Sequence, residues 1–278
     1  MTSGRLYIVS TPIGNLGDFS FRAVETLRSV ALILAEDTRH SRVLLDRYQI
    51  STPTAAYHEH NEARSAPKFV QRLLDGDDLA LITDAGTPLL SDPGHRLVIA
   101  AIDAGVDVVP VPGASALLAA LGASGLPADR FTFFGFLPRK GKERRQALDQ
   151  IASSPHTAIL YEAPVRVAET LRDLSEQAGS RPAVVARELT KQFEEFRRGT
   201  VEALAAYYSD TPPRGEVVIL IAGAPPAVAD EAELREEASA LRARGVSVRD
   251  VAAALTKRGA SRNVAYRIAQ EAEIGNGK

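Results

Sequence analysis

At 278 residues, with 45% hydrophobic and 24% charged side chains, the chain has a globular composition and the length for two domains. A formal net charge of -2 gives no global sign of nucleic-acid binding. Cysteine is absent, which excludes disulfides and thiolate metal sites. The N-terminus enters an apolar strand without a signal-peptide pattern, and no apolar run is long enough to cross a bilayer. A soluble, cytoplasmic protein with no membrane partner is the expectation.

Strand-like and helix-like runs alternate from the start. Leu6–Val9 reads as a buried strand, Phe21–Val30 as a helix, Ala31–Ala35 as a strand and Arg39–Tyr48 as a helix. Thr54–Tyr57 is a short extended piece, Glu62–Leu74 is helical, and Leu79–Ile82 and Val106–Val111 are further buried strands. Uninterrupted apolar strands in β-α-β-α order predict a mostly parallel sheet covered on both faces.

A pause near Gly122–Pro127 precedes a second set. Phe131–Phe136 is an aromatic strand, Gly141–Ile151 a charged helix, Ala158–Tyr161 a strand and Val165–Ala178 a helix. Ala183–Ala186, Glu194–Arg197 and Val217–Ile221 read as strands, some of them antiparallel. Ala224-Pro225-Pro226-Ala227 ends this region, and Glu231–Arg244, Val248–Lys257 and Arg262–Glu273 are helices resembling a helix-turn-helix. The expected domains are residues 1–113, 114–224 and a helical tail, 225–278.

The sharpest local signal is Thr83-Asp84-Ala85-Gly86-Thr87-Pro88-Leu89-Leu90-Ser91-Asp92-Pro93-Gly94, directly after a buried strand. In open α/β sheets, ligands bind just outside the carboxyl ends of strands, so Asp84–Pro88 stands where a ligand would. Gly86 lets backbone approach that ligand, and Pro88 stiffens the turn. Asp92 and Pro93 read as the cap and first turn of a helix running to Ala104.

Other strand ends carry weaker signals. Ser10–Asp18 fits neither the dinucleotide fingerprint nor a phosphate loop, and Asp18 or Ser20 serves as a cap. Ala35-Glu36-Asp37-Thr38-Arg39-His40 puts two acids and a base at a strand end, where they are costly unless paired or used. His58 and His60 lie on one side of an extended segment; with no second His pair, no metal is expected, and Asn61 reads as an RNA-facing or capping residue. Ser115 suits either a helix cap or, with the free amides there, an anionic group. Arg187 beside Glu188 reads as structural, and Gly215 as a point of close backbone approach.

Two basic clusters stand out on a near-neutral chain: Arg139–Arg145, and Arg242–Arg267 with seven basic residues against Asp250. Each is either a solvated face or a local phosphate contact.

In order and spacing, STPIGNLGD, AEDTRH, HEHNE, TDAGTPLLSDPG, PVPGASA, FFGFLP, YEAPVR, ARELTK and RGEVV resemble the 16S ribosomal RNA cytidine-2′-O-methyltransferase branch of the tetrapyrrole methylase superfamily. The resemblance covers residues 4–224, with a similar helical tail beyond. It implies two α/β domains of the tetrapyrrole methylase type, an active site in the cleft between them, and a small all-helical C-terminal region. It implies S-adenosylmethionine (SAM) as methyl donor, at Pro12 and Gly14, Asp84, Ala85, Gly86, Thr87 and Pro88, Ser115, and near Phe136, Tyr161 and Ala222. It further implies a homodimer acting on a decoding-centre cytidine of 16S rRNA, within an assembled small ribosomal subunit. Glu36, Asp37, His60 and Glu188 are unranked candidates to take or orient the hydroxyl proton. Arg39 and Lys191 are candidates to hold phosphate, with Lys140, Lys142, Arg144, Arg145, Lys257, Arg258 and Arg262 as further RNA contacts. The branch usually has His where this chain has Val165, so that side chain is inferred to be dispensable or structural. A methylase of a small tetrapyrrole-like substrate is the rival reading.

Overall fold

The structure is a computed structural model that describes residues 3–225 and 230–274; Pro226 and Ala227 of the expected proline-rich break lie outside these. Contacts divide the chain into two compact units, residues 1–152 with 156–222, and residues 153–155 with 223–278.

The first unit contains two sheets. β1 (Leu6–Val9), β2 (Leu32–Ala35), β3 (Thr54–Ala56), β4 (Leu79–Ile82) and β5 (Val108–Val111) form an all-parallel sheet in the order β3-β2-β4-β1-β5. Helices cover both faces, which is why the strands are apolar without alternation. On one face, Leu27 of α1 (Phe21–Ser29) and Leu44 and Leu45 of α2 (Thr38–Arg47) pack on Ile33 and Ile82. On the other, Phe69 and Leu73 of α3 (Glu62–Leu74) and Leu97 of α4 (His95–Asp103) pack on Leu34 and Leu81. The chain leaves β1 toward one side and β4 toward the other, and the carboxyl ends of such neighbouring strands open a crevice.

α5 (Ala116–Ser124), capped by the Ser115 hydroxyl, leads to the second sheet. Here β6 (Phe131–Phe136), β7 (Thr157–Glu162), β8 (Pro182–Arg187), β9 (Glu195–Thr200) and β10 (Val217–Ile221) run in the order β6-β7-β10-β8-β9. β6 and β7 are parallel and the other pairs antiparallel, as the sequence leads one to expect for part of this set. One face packs against α6 (Lys142–Ser153), α7 (Val167–Ala178) and α8 (Val201–Asp210). The other carries Leu117 and Leu121 of α5 together with Ile13 and Leu189.

Helix α8 is not among the elements read from sequence. It follows a half-buried polar strand and stops before Pro212-Pro213, so only ten residues reveal it. Its buried residues Val201, Leu204, Ala205 and Tyr208 nonetheless keep one-face helical spacing. Arg181 is buried behind this sheet and donates to the carbonyls of Ile151, Ala152 and Ala222, which satisfies a cation that burial otherwise disfavours.

In the second unit, α9 (Glu231–Ala243), α10 (Val248–Lys257) and α11 (Arg262–Ile274) close around Leu234, Val251, Leu255 and Ile268.

Candidate active site

A cavity of about 420 Å³ lies between the carboxyl ends of the parallel sheet and the second sheet. The sequence places it there by simple means. β2 and β4 end abruptly in Glu36 and in Thr83-Asp84, so short polar loops hang where the buried strands stop. The loop after β1 pairs with the loop after β4: Thr11 N–H donates to the Gly86 carbonyl at 2.8 Å, and Gly86 N–H to the Thr11 carbonyl at 3.1 Å. Gly86 has φ of 85°, and a Cβ there would meet Ile13 at 3.2 Å, so glycine suits both the conformation and the approach.

Both sheets bring acids to the lining: Glu36, Asp84 and Asp92 from the loops of the parallel sheet, Glu162 and Glu216 from the second sheet. The rest of the lining is largely apolar or aromatic, with Ile13, Leu90, Phe136, Tyr161, Leu189 and Val218. Tyr161 stands edge-on to Phe136 at 5.5 Å between ring centroids, and Phe136 is 58% exposed although aromatic. No cationic side chain lines the cavity among the described residues.

The acids differ in their partners. The Thr83 hydroxyl donates to Glu36 at 2.8 Å, and the Asp37 amide donates to Asp84 at 3.1 Å. Glu162 is fully buried and accepts from the Thr170 hydroxyl and the Ala163 amide, with Arg166 at 3.4 Å. Asp92 is pushed up to about 6, first by burial and then by the charges of Glu36 and Asp84. The Ser-Asp-Pro pattern misleads at Asp92. α4 begins only at His95, behind Gly94, and Asp92 turns to Thr83 instead of capping it.

Of the expected SAM residues, Asp84, Ala85, Gly86, Thr87, Ser115, Phe136 and Tyr161 line the cavity. Pro12 and Pro88 are buried beside it, and Gly14 lies under the Lys191 side chain, where a Cβ would stand 2.5 Å from Cγ. Ala222 does not line the cavity: it follows β10, and its carbonyl accepts from Arg181. Val217 and Val218, at the other end of the same strand, are the β10 residues that face the cavity.

Of the four proton-acceptor candidates, only Glu36 reaches the cavity. Asp37 caps α2 through the Arg39 amide and pairs with the Arg39 side chain, which holds its carboxyl below the usual range. His60 is exposed beside Glu59, and Asn61 holds its own turn, taking the His58 amide and donating to the Ala56 carbonyl. Glu188 accepts from Lys191 and from the Glu216 amide.

The basic candidates also divide. Arg144 turns inward, is 6% exposed, and binds Asp173 at 2.7 Å and the Thr170 hydroxyl. Its place in the sequence run gave it a phosphate role, but its position on α6 makes it a buried strut. Lys140, Lys142 and Arg145 are exposed. Lys191 is held between Glu188 and Glu216, whereas Arg39 is 91% exposed. In the helical tail Arg258 pairs with Glu233 and Glu237, while Lys257 and Arg262 are exposed without an ion pair among the described residues. Val165 is 87% exposed and is not part of the cavity lining.

A parallel sheet whose strand ends face a mixed sheet across an acid-and-aromatic cavity has known counterparts. Residues 5–205 match the family described as Tetrapyrrole (Corrin/Porphyrin) Methylases. Among solved structures, diphthine synthase superposes with a TM-score of 0.63 at 15% identity, covering 79% of this chain and 90% of that one. Uroporphyrin-III C-methyl transferase from Thermus thermophilus, complexed with S-adenyl homocysteine, superposes with a TM-score of 0.58 at 19% identity, covering 79% and 97%.

Two relatives are nearer in sequence. Ribosomal RNA small subunit methyltransferase I from Synechocystis sp. is 49% identical over 248 residues, covering 88% of this chain and 89% of that protein. The protein of the same name from Mesorhizobium japonicum is 54% identical over 229 residues, covering 81% and 77%. The chain belongs to the tetrapyrrole methylase family and, within it, to the ribosomal RNA small subunit methyltransferase I branch.

Proposed function

We propose that this protein is a SAM-dependent methyltransferase that methylates the ribose 2′-oxygen of a decoding-centre cytidine in 16S rRNA. The observation that carries the reading is identity of about half the residues, over most of the chain, to relatives named as methyltransferases of small-subunit ribosomal RNA. The tetrapyrrole rival has weaker support, because the uroporphyrin enzyme shares the fold at 19% identity and no more.

The cavity suits the methyl donor. SAM carries a sulfonium and an ammonium, and the lining offers Glu36, Asp84 and Asp92 without an ion pair among the described residues. Its adenine needs an apolar slot, which Ile13, Leu189 and Val218 supply. Its carboxylate suits the free amides at the start of α5, beside Ser115. When bound, SAM supplies an already activated methyl group, so the chain's task is alignment of the acceptor hydroxyl. Such alignment is worth roughly 7–11 kcal/mol of barrier.

Exposed Lys140, Lys142, Arg145 and Arg39, and Lys257 and Arg262 of the helical tail, are the residues we assign to RNA phosphates. A cytidine must leave its stack for its ribose to enter the cavity, which favours folded rRNA in an assembled small subunit over a short duplex. Action as a cytoplasmic homodimer completes the proposal.

The test is methyl transfer from radiolabelled SAM to small ribosomal subunits lacking 2′-O-methylation, with the labelled nucleotide mapped. Label on the 2′-oxygen of a decoding-site cytidine is expected. Tight SAM binding without transfer to the subunit would overturn the rRNA assignment and leave the cofactor assignment standing.

A further inference from the structure

A second cavity, of about 170 Å³, lies where β8 ends at Arg187, β9 begins at Glu195 and the chain leaves α8. Two chain segments run from it to the first cavity. Arg187 lines the second and Leu189 the first; Arg214 lines the second, and Gly215 and Glu216 the first. The two cavities are therefore neighbours within one compact unit. Their chemistry is opposite. No cationic side chain lines the first among the described residues, whereas the second combines two guanidinium groups with tyrosine rings and prolines.

The acid in this second lining, Glu195, does not neutralise it. Glu195 is divided between Arg187 and Arg197, each at 2.7 Å. Arg187 spends only its Nε on that carboxylate, which leaves its terminal nitrogens without a hydrogen bond among the described residues. Arg214 is exposed and has no ion pair among them. Glu188, the neighbour of Arg187 in sequence, is held instead by Lys191 and the Glu216 amide. Free guanidinium edges of this kind suit phosphate oxygens. The aromatic side is also incomplete. Arg197 lies 3.7 Å from the Tyr207 ring centroid, yet Tyr207 is still 37% exposed, with Pro212 beside it in the lining. Tyr208 is 2% exposed and its hydroxyl has no hydrogen-bond partner, although a buried tyrosine hydroxyl ordinarily finds one. Ordinary small-molecule pockets run to roughly 300–1,000 Å³, so this smaller one fits a single unit of a longer chain better than a free cofactor.

We propose that the second cavity holds the nucleotide next to the target cytidine; this rests on the rRNA reading above. Arg187 and Arg214 take its phosphate oxygens, its base lies against Tyr207 and Pro212, and the Tyr208 hydroxyl meets a polar edge. Unpaired RNA is bound by these means, with bases stacked on aromatic rings and cations on the backbone. Because the same two segments line both cavities, seating the neighbour fixes where the target ribose enters the first. Arg187, Arg214 and Tyr207 are thus positioning residues, acting on the reaction through the register of the RNA.

The experiment is single-turnover transfer from SAM to small subunits lacking 2′-O-methylation, at saturating subunit, by wild type, R214A, R214K, Y207A and Y207F. Each protein is also titrated calorimetrically with S-adenosylhomocysteine and unfolded in urea. R214A and Y207A should lose about 10–10²-fold in rate, the effect of displacing a reacting group by about 1 Å. Y207F keeps the ring and should keep the rate. R214K keeps the charge without the planar fork and should recover part of it. S-adenosylhomocysteine affinity should stay at the wild-type value, because neither residue lines the first cavity. The urea midpoint of R214A should be unchanged, because Arg214 is exposed. Ultraviolet crosslinking of wild type to the subunit should join Tyr207 to a nucleotide adjacent to the methylated cytidine. Wild-type rates in both R214A and Y207A would overturn the proposal and leave the rRNA reading standing. So would an R214A defect that vanishes at saturating subunit, or one matched by a lower urea midpoint. R214A decides the matter if Y207A does not fold. If wild type itself transfers nothing to subunits, the rRNA reading fails and the proposal goes with it.

Discussion

Asp92 binds its proton more tightly in the folded chain than in the unfolded one, about 6 against 3.8. For a raised acid the sign is fixed. As pH climbs from about 4 to 6, the unfolded state ionises first, so stability falls through that window and the deficit is complete above it. D92N should remove this deficit. It should match wild type in urea midpoint near pH 4 and exceed it at pH 7, by on the order of 1 kcal/mol once solvent screening is allowed for. A residue that stabilises the fold would shift the other way. Sequence alone does not reach this residue. Ser91-Asp92-Pro93 reads as a helix start because capping is a local pattern, whereas the turn of Asp92 toward Thr83 depends on where two distant strands end. Glu36 was legible for the converse reason: an acid directly at the end of a buried strand has few places to go except a site.

At the scale of single elements, α6 separates two meanings of a basic run. Lys142 and Arg145 face outward, while Arg144 links α6 to Asp173 and Thr170 of α7, and Thr170 in turn donates to Glu162 of the cavity lining. R144M should therefore cost about 1–3 kcal/mol of stability, read as a lower urea midpoint. The double variant K142A/R145A should leave that midpoint unchanged and weaken binding to small subunits, with a shallower salt dependence. Equal stability in all three proteins would remove the strut role of Arg144. Periodicity showed the strands of the parallel sheet because each is buried on both faces, and the first three helices because each has one apolar stripe. It did not show which way Arg144 points, since one residue on a short charged helix carries no phase of its own. Helix α8 escaped because a single apolar stripe of four residues sits between a half-buried polar strand and a Pro-Pro stop.

For the whole molecule, chemistry and RNA affinity are expected to divide between different parts of the chain. The cavity and every residue lining it belong to the unit of residues 1–152 and 156–222. The tail helices form their own core, and among their described residues Arg244, Arg249, Lys257 and Arg262 are exposed and free of ion pairs, whereas Arg258 and Arg267 are tied to glutamates. Near-zero net charge over the full chain hides this local excess, so only its position could suggest a partner. Replacing those four residues with alanine should leave calorimetric S-adenosylhomocysteine binding intact, because none of them lines the cavity. Affinity for the small subunit should fall, and the slope of log affinity against log salt should shrink by up to about 3, since each released phosphate contact contributes about 0.7–0.9. At saturating subunit the single-turnover rate should be unchanged, so the loss appears in substrate affinity and not in the methyl-transfer step. An unchanged salt slope would move the RNA contact to the Lys140–Arg145 cluster and leave the tail a different partner, such as ribosomal protein.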